Sequence, residues 1–131
     1  MPIDFTFSQE VEDARLLMRN FLHETVKPQF AAMRENKEAS RDDWSKLVKS
    51  LRHTAKTEGF WLPHMPQEVG GMGLGVTALA AVSAEAAKVP MGPYIINAQA
   101  PDEGNMHTLH HFATEYQREH FLKPLLEGTA R

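Results

Sequence analysis

Apolar residues recur three and four positions apart along most of the chain, the period of a helix with one buried face. Val11, Ala14, Leu17, Met18, Phe21, Leu22 and Val26 form the first series. Ser8 is placed to cap it, and Glu10, Glu12 and Asp13 follow, where negative charge meets the positive end of the helix dipole. Pro28 lacks an N–H, so the pattern predicts an interruption or kink there, with Phe30, Ala31 and Met33 as a brief continuation. A polar loop over Asn36 to Ala39 leads to Ser40-Arg41-Asp42-Asp43, a capping box with aspartate in its fourth position. Trp44, Leu47, Val48, Leu51 and Ala55 then share one face of a second helix, and Gly59 stands where the helix end needs a positive φ.

From Phe60 to Gly75 the periodicity stops. Two prolines and four glycines in that stretch predict an irregular crossing segment. Val76 to Val89 is alanine-rich and apolar nearly all round, which predicts a helix buried among others. Pro90-Met91-Gly92-Pro93 breaks it, and Tyr94-Ile95-Ile96 begins either a further helix or an extended piece. Pro101 to Asn105 reads as a helix start, with Met106, Leu109 and Phe112 as the buried face. Thr114-Glu115-Tyr116-Gln117 is a capping box for a short helix through Phe121 and Leu122, disturbed by Pro124 and closed by Gly128. No run alternates like a strand. The expected class is all-α: one domain over residues 1–131, a bundle of roughly five or six helices with orthogonal or up-down packing.

Length and charge narrow what such a bundle does. A chain of 131 residues has enough core to fold without a disulfide or metal. Its lack of cysteine excludes thiolate chemistry and fits a reducing, cytoplasmic location. With 14 basic and 17 acidic residues, net −3, and no basic run, it has no footprint for nucleic acid. No apolar stretch approaches the roughly 20 residues of a membrane span. Met1 to Phe5 lacks the basic and apolar parts of a signal peptide, and Gly128 to Arg131 carries no targeting tripeptide.

Three constellations carry possible chemistry. Gly70-Gly71-Met72-Gly73-Leu74-Gly75 has the look of a phosphate loop, but no strand precedes it and neither nucleotide fingerprint fits, so a structural turn is expected. His107 and His111 share a helix face at i, i+4, a spacing that suits zinc, and His110 lies beside them. No third ligand is evident, so no metal is expected. Asp102 and Glu103 pair carboxylates as an acid–base site would, yet at a helix start they are more simply partners of the dipole.

Three segments carry a resemblance. Gly59-Phe60-Trp61-Leu62-Pro63, followed by Pro66-Gln67-Glu68-Val69-Gly70-Gly71-Met72-Gly73-Leu74, resembles the crossing segment of acyl-CoA dehydrogenases, with Gln67 and Val69 in place of the usual Glu and Tyr. Ala113-Thr114-Glu115-Tyr116-Gln117 through Leu122-Lys123-Pro124-Leu125-Leu126-Glu127-Gly128 is similar to the family's Gly-Thr-Glu-x-Gln run, with Ala113 replacing Gly. Between them, Ala100-Pro101-Asp102-Glu103-Gly104-Asn105-Met106 is similar to a subgroup often acting on long or varied substrates.

The resemblance implies the N-terminal helical domain of a three-part FAD-dependent enzyme, in which a carboxylate takes the α-proton of an acyl-CoA thioester and the β-hydride passes to the flavin. It places that base in a C-terminal helical domain and the first flavin motif at the start of a β-domain, both beyond this sequence. No catalytic residue is therefore assigned, and the chain alone is expected neither to retain FAD nor to turn over. The complete enzyme is expected to act on acyl-CoA and to form a homo-oligomer. What the resemblance does place here is one wall of the acyl pocket, on a helix whose first turns run from Asn97 to Thr108, with Ala100, Pro101, Gly104 and Asn105 lining it. A helix cap and bend is the competing account of the same residues. The rival functions are a non-enzymatic helical module and a flavin monooxygenase or acyl-CoA oxidase of the same architecture.

Overall fold

A computed structural model describes residues 6–130. Met1 to Phe5 and Arg131, on which the leader and tripeptide readings partly rest, lie outside the described residues. The described residues are helical and contain no strand. The elements are α1 (Gln9–Asn20), α2 (Lys27–Glu35), α3 (Arg41–Thr57), α4 (Val76–Ala86), the single turn α5 (Gly92–Ile95), α6 (Asp102–Phe112), α7 (Glu115–Gln117) and α8 (Lys123–Glu127).

The caps form where the sequence sets them. Ser8 accepts from the Val11 N–H. Ser40 and Asp43, and again Thr114 and Gln117, complete both halves of a capping box. Gly59 takes φ +84°, and the Phe60 N–H donates back to the Ala55 carbonyl at 2.8 Å, which closes α3 as a Schellman motif.

The prolines disturb their helices, as expected, without ending them. Neither Pro28 nor Pro124 interrupts its helix. Each is preceded by a π-helical stretch, Phe21–Val26 before α2 and Arg118–Leu122 before α8. The N–H of Lys27 reaches Leu22, and that of Lys123 reaches Arg118, five residues back in each case. A proline has no N–H and its ring crowds the carbonyl four residues before it. The wider turn makes room, and the helical path stays continuous from Gln9 to Glu35 and from Glu115 to Glu127.

One core joins the elements. Met18, Phe21, Leu22 and Val26 meet Leu51 and Ala55 of α3, the crossing residues Trp61, Leu62 and Met65, Val82 and Ala86 of α4, then Ile95, Ile96, Met106 and Leu122. Leu51 is buried, as its place on the apolar face of α3 requires.

Three burial expectations fail for reasons of register. α4 packs against α1 through one face only, Ala78, Ala81, Val82, Glu85 and Ala86, while Val76 at its first turn is 87% exposed. Phe112 is 83% exposed, because six residues of helix rotate it away from the buried Met106. Leu17 on α1 is exposed beside the buried Met18. The buried face of α4 instead carries a charge. Arg15 of α1 donates to Glu85 Oε1 at 2.5 Å, and Lys88 reaches the same oxygen at 3.0 Å. Burial acts to raise the Glu85 pKa, but the bonds and charges of Lys88 and Arg15 outweigh it and hold the carboxyl below its ordinary value.

Candidate functional site

The crossing segment and the start of α6 frame the site. The glycine loop is a backbone knot. Gly70 donates its N–H to Gln67, Gly71 to Pro66, Met72 to Leu62 and Gly73 to Met65. With those groups engaged, the loop offers no cradle for a phosphate, and the structural reading holds. A Cβ on Gly71 would lie 2.1 Å from the Met65 carbonyl oxygen, so this position takes glycine for close approach.

α6 begins at Asp102, later than the Asn97 start the resemblance implies. Asn97 has φ +56°, and Pro101 disfavours the helical region for the residue before it, so residues 97–100 stay outside the helix. The Ala100–Pro101 peptide is cis. Ala100, Pro101, Gly104 and Asn105 are all exposed, and a pocket bordered by them requires a facing surface from elsewhere. Gly104 lies in the helix without a positive φ, and a Cβ built there meets nothing within 4 Å. Nothing local demands glycine at this position.

On one side of the crossing segment Arg52 ties three elements together. It donates to the Tyr94 carbonyl and, at 3.3 Å, to Asn97 Oδ1. Its guanidinium lies 4.3 Å from the centre of the Tyr94 ring and 4.8 Å from that of Trp61. Asn97 donates to the Leu125 carbonyl at 3.0 Å, and Trp61 Nε1 to Leu126 at 2.8 Å. Gly128 at φ +74° leaves the space that Arg52 and Trp61 fill.

On the other side is a cleft of about 270 Å³ lined by His64, Met65, Pro66, Gly73, Leu74, His107, His110 and His111. His64 is 7% exposed, and neither of its ring nitrogens has a hydrogen-bond partner. Burial, reinforced by the charge of His107, pushes its pKa down to about 4. His64 stands outside the helical periodicity, which does not single it out. Its signal was an imidazole inside the apolar run Trp61-Leu62-Pro63-His64-Met65-Pro66.

With this geometry in place, comparison with known proteins decides the family. The family model described as acyl-CoA dehydrogenase, N-terminal domain, matches residues 8–129. The chain belongs to the acyl-CoA dehydrogenase N-terminal domain family. Human acyl-CoA dehydrogenase family member 11 is 30% identical to it over 132 residues, 95% of this chain and 16% of that protein. Probable acyl-CoA dehydrogenase FadE2 of Mycobacterium tuberculosis is 32% identical over 140 residues, 98% of this chain and 32% of that protein. The solved structure of a putative acyl-CoA dehydrogenase from Mycobacterium abscessus superposes with a TM-score of 0.80 at 28% identity, over 97% of this chain and 34% of that one. This acyl-CoA dehydrogenase domain thus spans between 16% and 34% of the length of these relatives. Its helical fold is that of the family, and among the described residues no helix is long and apolar enough to cross a membrane.

Proposed function

We propose that this domain serves an FAD-dependent acyl-CoA dehydrogenase and supplies one wall of its acyl pocket through Ala100, Pro101, Gly104 and Asn105. The observation that carries the reading is the exposed start of α6, where four small or short side chains sit together and Gly104 opens onto free space. Small groups leave room for an apolar chain, and Gly104 and Asn105 stand on α6, which fixes that part of the wall more firmly than a loop would.

The described residues do not themselves fit a flavin. Their one glycine loop resembling a phosphate cradle has its N–H groups turned inward. The flavin, which accepts the hydride when bound, is therefore assigned to parts of the protein like those the relatives carry outside the matched region. This chain's contribution is positional: it holds the acyl chain against a fixed surface and excludes water from it.

Two forms of the protein test this. The 131-residue chain is expected to purify without flavin absorbance. The complete protein is expected to carry FAD and to bleach when an acyl-CoA is added without oxygen. A complete protein that purifies colourless and cannot be loaded with FAD would favour the non-enzymatic module.

A further inference from the structure

The exposed face of α6 runs on past the residues assigned to the acyl wall. At about 100° per residue, Pro101, Gly104, Thr108 and Phe112 fall in one stripe along the helix. All four are exposed, and none carries a charge. Asp102 and Met106, turned to the far side, are buried. Asn105 and His111, three residues before and after Thr108, lie on the two opposite edges of the stripe. Thr108 Oγ1 donates to the Gly104 carbonyl at 3.0 Å, so its hydroxyl hydrogen is engaged within the helix. The stripe has a defined end. Phe112 is the last residue of α6, and the backbone leaves the helix at Ala113 in an extended conformation, φ −72° and ψ 144°.

We propose that Phe112 is a specificity-determining residue of the acyl site, and that it meets the far end of acyl chains long enough to run the length of α6. The inference rests on the acyl-wall reading of Gly104 and adds a direction and a length to it. Gly104 and Phe112 are eight residues apart, about 12 Å along the helix axis. An extended hydrocarbon with bonds of about 1.5 Å advances about 1.25 Å per carbon, so it covers that distance in about ten carbons. A chain of four carbons that passes Gly104 stops well short of the ring.

An acyl tail has no hydrogen-bonding group, so it is held by the apolar area it removes from water. Along this stripe it meets no charge that would have to be stripped of water. Phe112 is 83% exposed and carries the largest apolar side chain on that face. An aromatic ring left so exposed has most of its surface to gain from a cover. A chain that crossed α6 instead of following it would touch only the turn around Gly104 and Thr108 and would leave Phe112 uncovered. The two paths differ in one respect that can be measured, the dependence on Phe112 of long chains against short ones.

The test uses the complete protein, with kcat/KM measured on butanoyl-CoA and hexadecanoyl-CoA. Phe112→Ala is expected to lose at least about tenfold on hexadecanoyl-CoA and to leave butanoyl-CoA unchanged. Phe112→Leu, which keeps an apolar group, is expected to recover part of that loss. Because the ring is exposed, the melting temperature of both variants is expected to match the unaltered protein. An equal loss on the two substrates, or no loss on hexadecanoyl-CoA, overturns the proposal. Gly104→Leu, measured alongside, tells which reading has failed. If it discriminates by chain length and Phe112→Ala does not, the wall stands and its extension to Phe112 falls. If neither variant discriminates, the wall reading falls and takes the extension with it.

Discussion

Two polar side chains, Arg52 of α3 and His64 of the crossing segment, lie buried, and they are handled in opposite ways. Arg52 has carbonyl, amide and aromatic partners drawn from three elements. His64 has a neighbouring ring and a cleft, and no hydrogen bond. A buried polar group surrounded by partners fixes a fold, because losing it strands those partners. A buried polar group left open weakens the fold and has to be explained by something outside it. The first is a structural device, and the second is a cost in stability that the fold carries.

The comparison breaks most sharply at Arg52. Arg52→Leu strands the Tyr94 carbonyl and Asn97 Oδ1 and removes the cation between two rings, so it is expected to destabilise by about 3 kcal/mol or more. Urea unfolding measures this. A loss under about 1 kcal/mol would mean that the Arg52 contacts are dispensable. Arg52→Lys is expected to recover only part of the loss, since a single ammonium cannot span both acceptors while lying between the rings.

The His64 side is tested by acid. An unfolded histidine titrates near its ordinary 6.5, while His64 in the fold titrates at about 4. Between those values the unfolded chain holds a proton that the native chain does not, so stability is full above pH 6.5 and falls as the pH drops toward 4. The total over that window is about 3 kcal/mol at most. His64→Phe is expected to flatten this part of the profile. An equally steep loss between pH 6.5 and 5 in the variant would assign the effect elsewhere. At lower pH the carboxyls of Glu85, Asp43 and Glu119, all held below their ordinary values, contribute a separate loss as they protonate.

What the sequence made legible was local. Ser8, Ser40 with Asp43, Thr114 with Gln117, and Gly59 each act within a turn of their own position, and each forms its expected cap. The long-range devices were hidden. Glu85 is buried because Arg15 meets it from 70 residues away, and no neighbour of Glu85 in the chain announces that partner. His64 likewise meets His107 from more than forty residues away. The two prolines were visible as disturbances, but whether a helix breaks or widens depends on the packing around it. At the candidate wall, the sequence located Gly104 but could not separate room for a ligand from a need for backbone freedom.

Gly71 and Gly104 now separate those meanings. A Cβ at Gly71 strikes a carbonyl, and one at Gly104 strikes nothing. Gly104→Ala is expected to raise stability by about 0.5–1 kcal/mol, the ordinary gain from removing a helical glycine. Gly71→Ala is expected to lower it. A lowered melting temperature in Gly104→Ala would restore the account of Gly104 as a cap and bend residue.

The acyl wall itself is tested most directly in the complete protein, by kcat/KM over a series of acyl-CoA chain lengths for Gly104→Leu against the unaltered enzyme. Leucine fills the space beside the chain, and each excluded methylene is worth roughly 1–3 kcal/mol in discrimination. The expected result is a selective loss on long acyl-CoAs, short ones being little affected, at an unchanged melting temperature. An equal loss across all chain lengths, or no loss at any, would remove Gly104 from the pocket and with it the proposed wall.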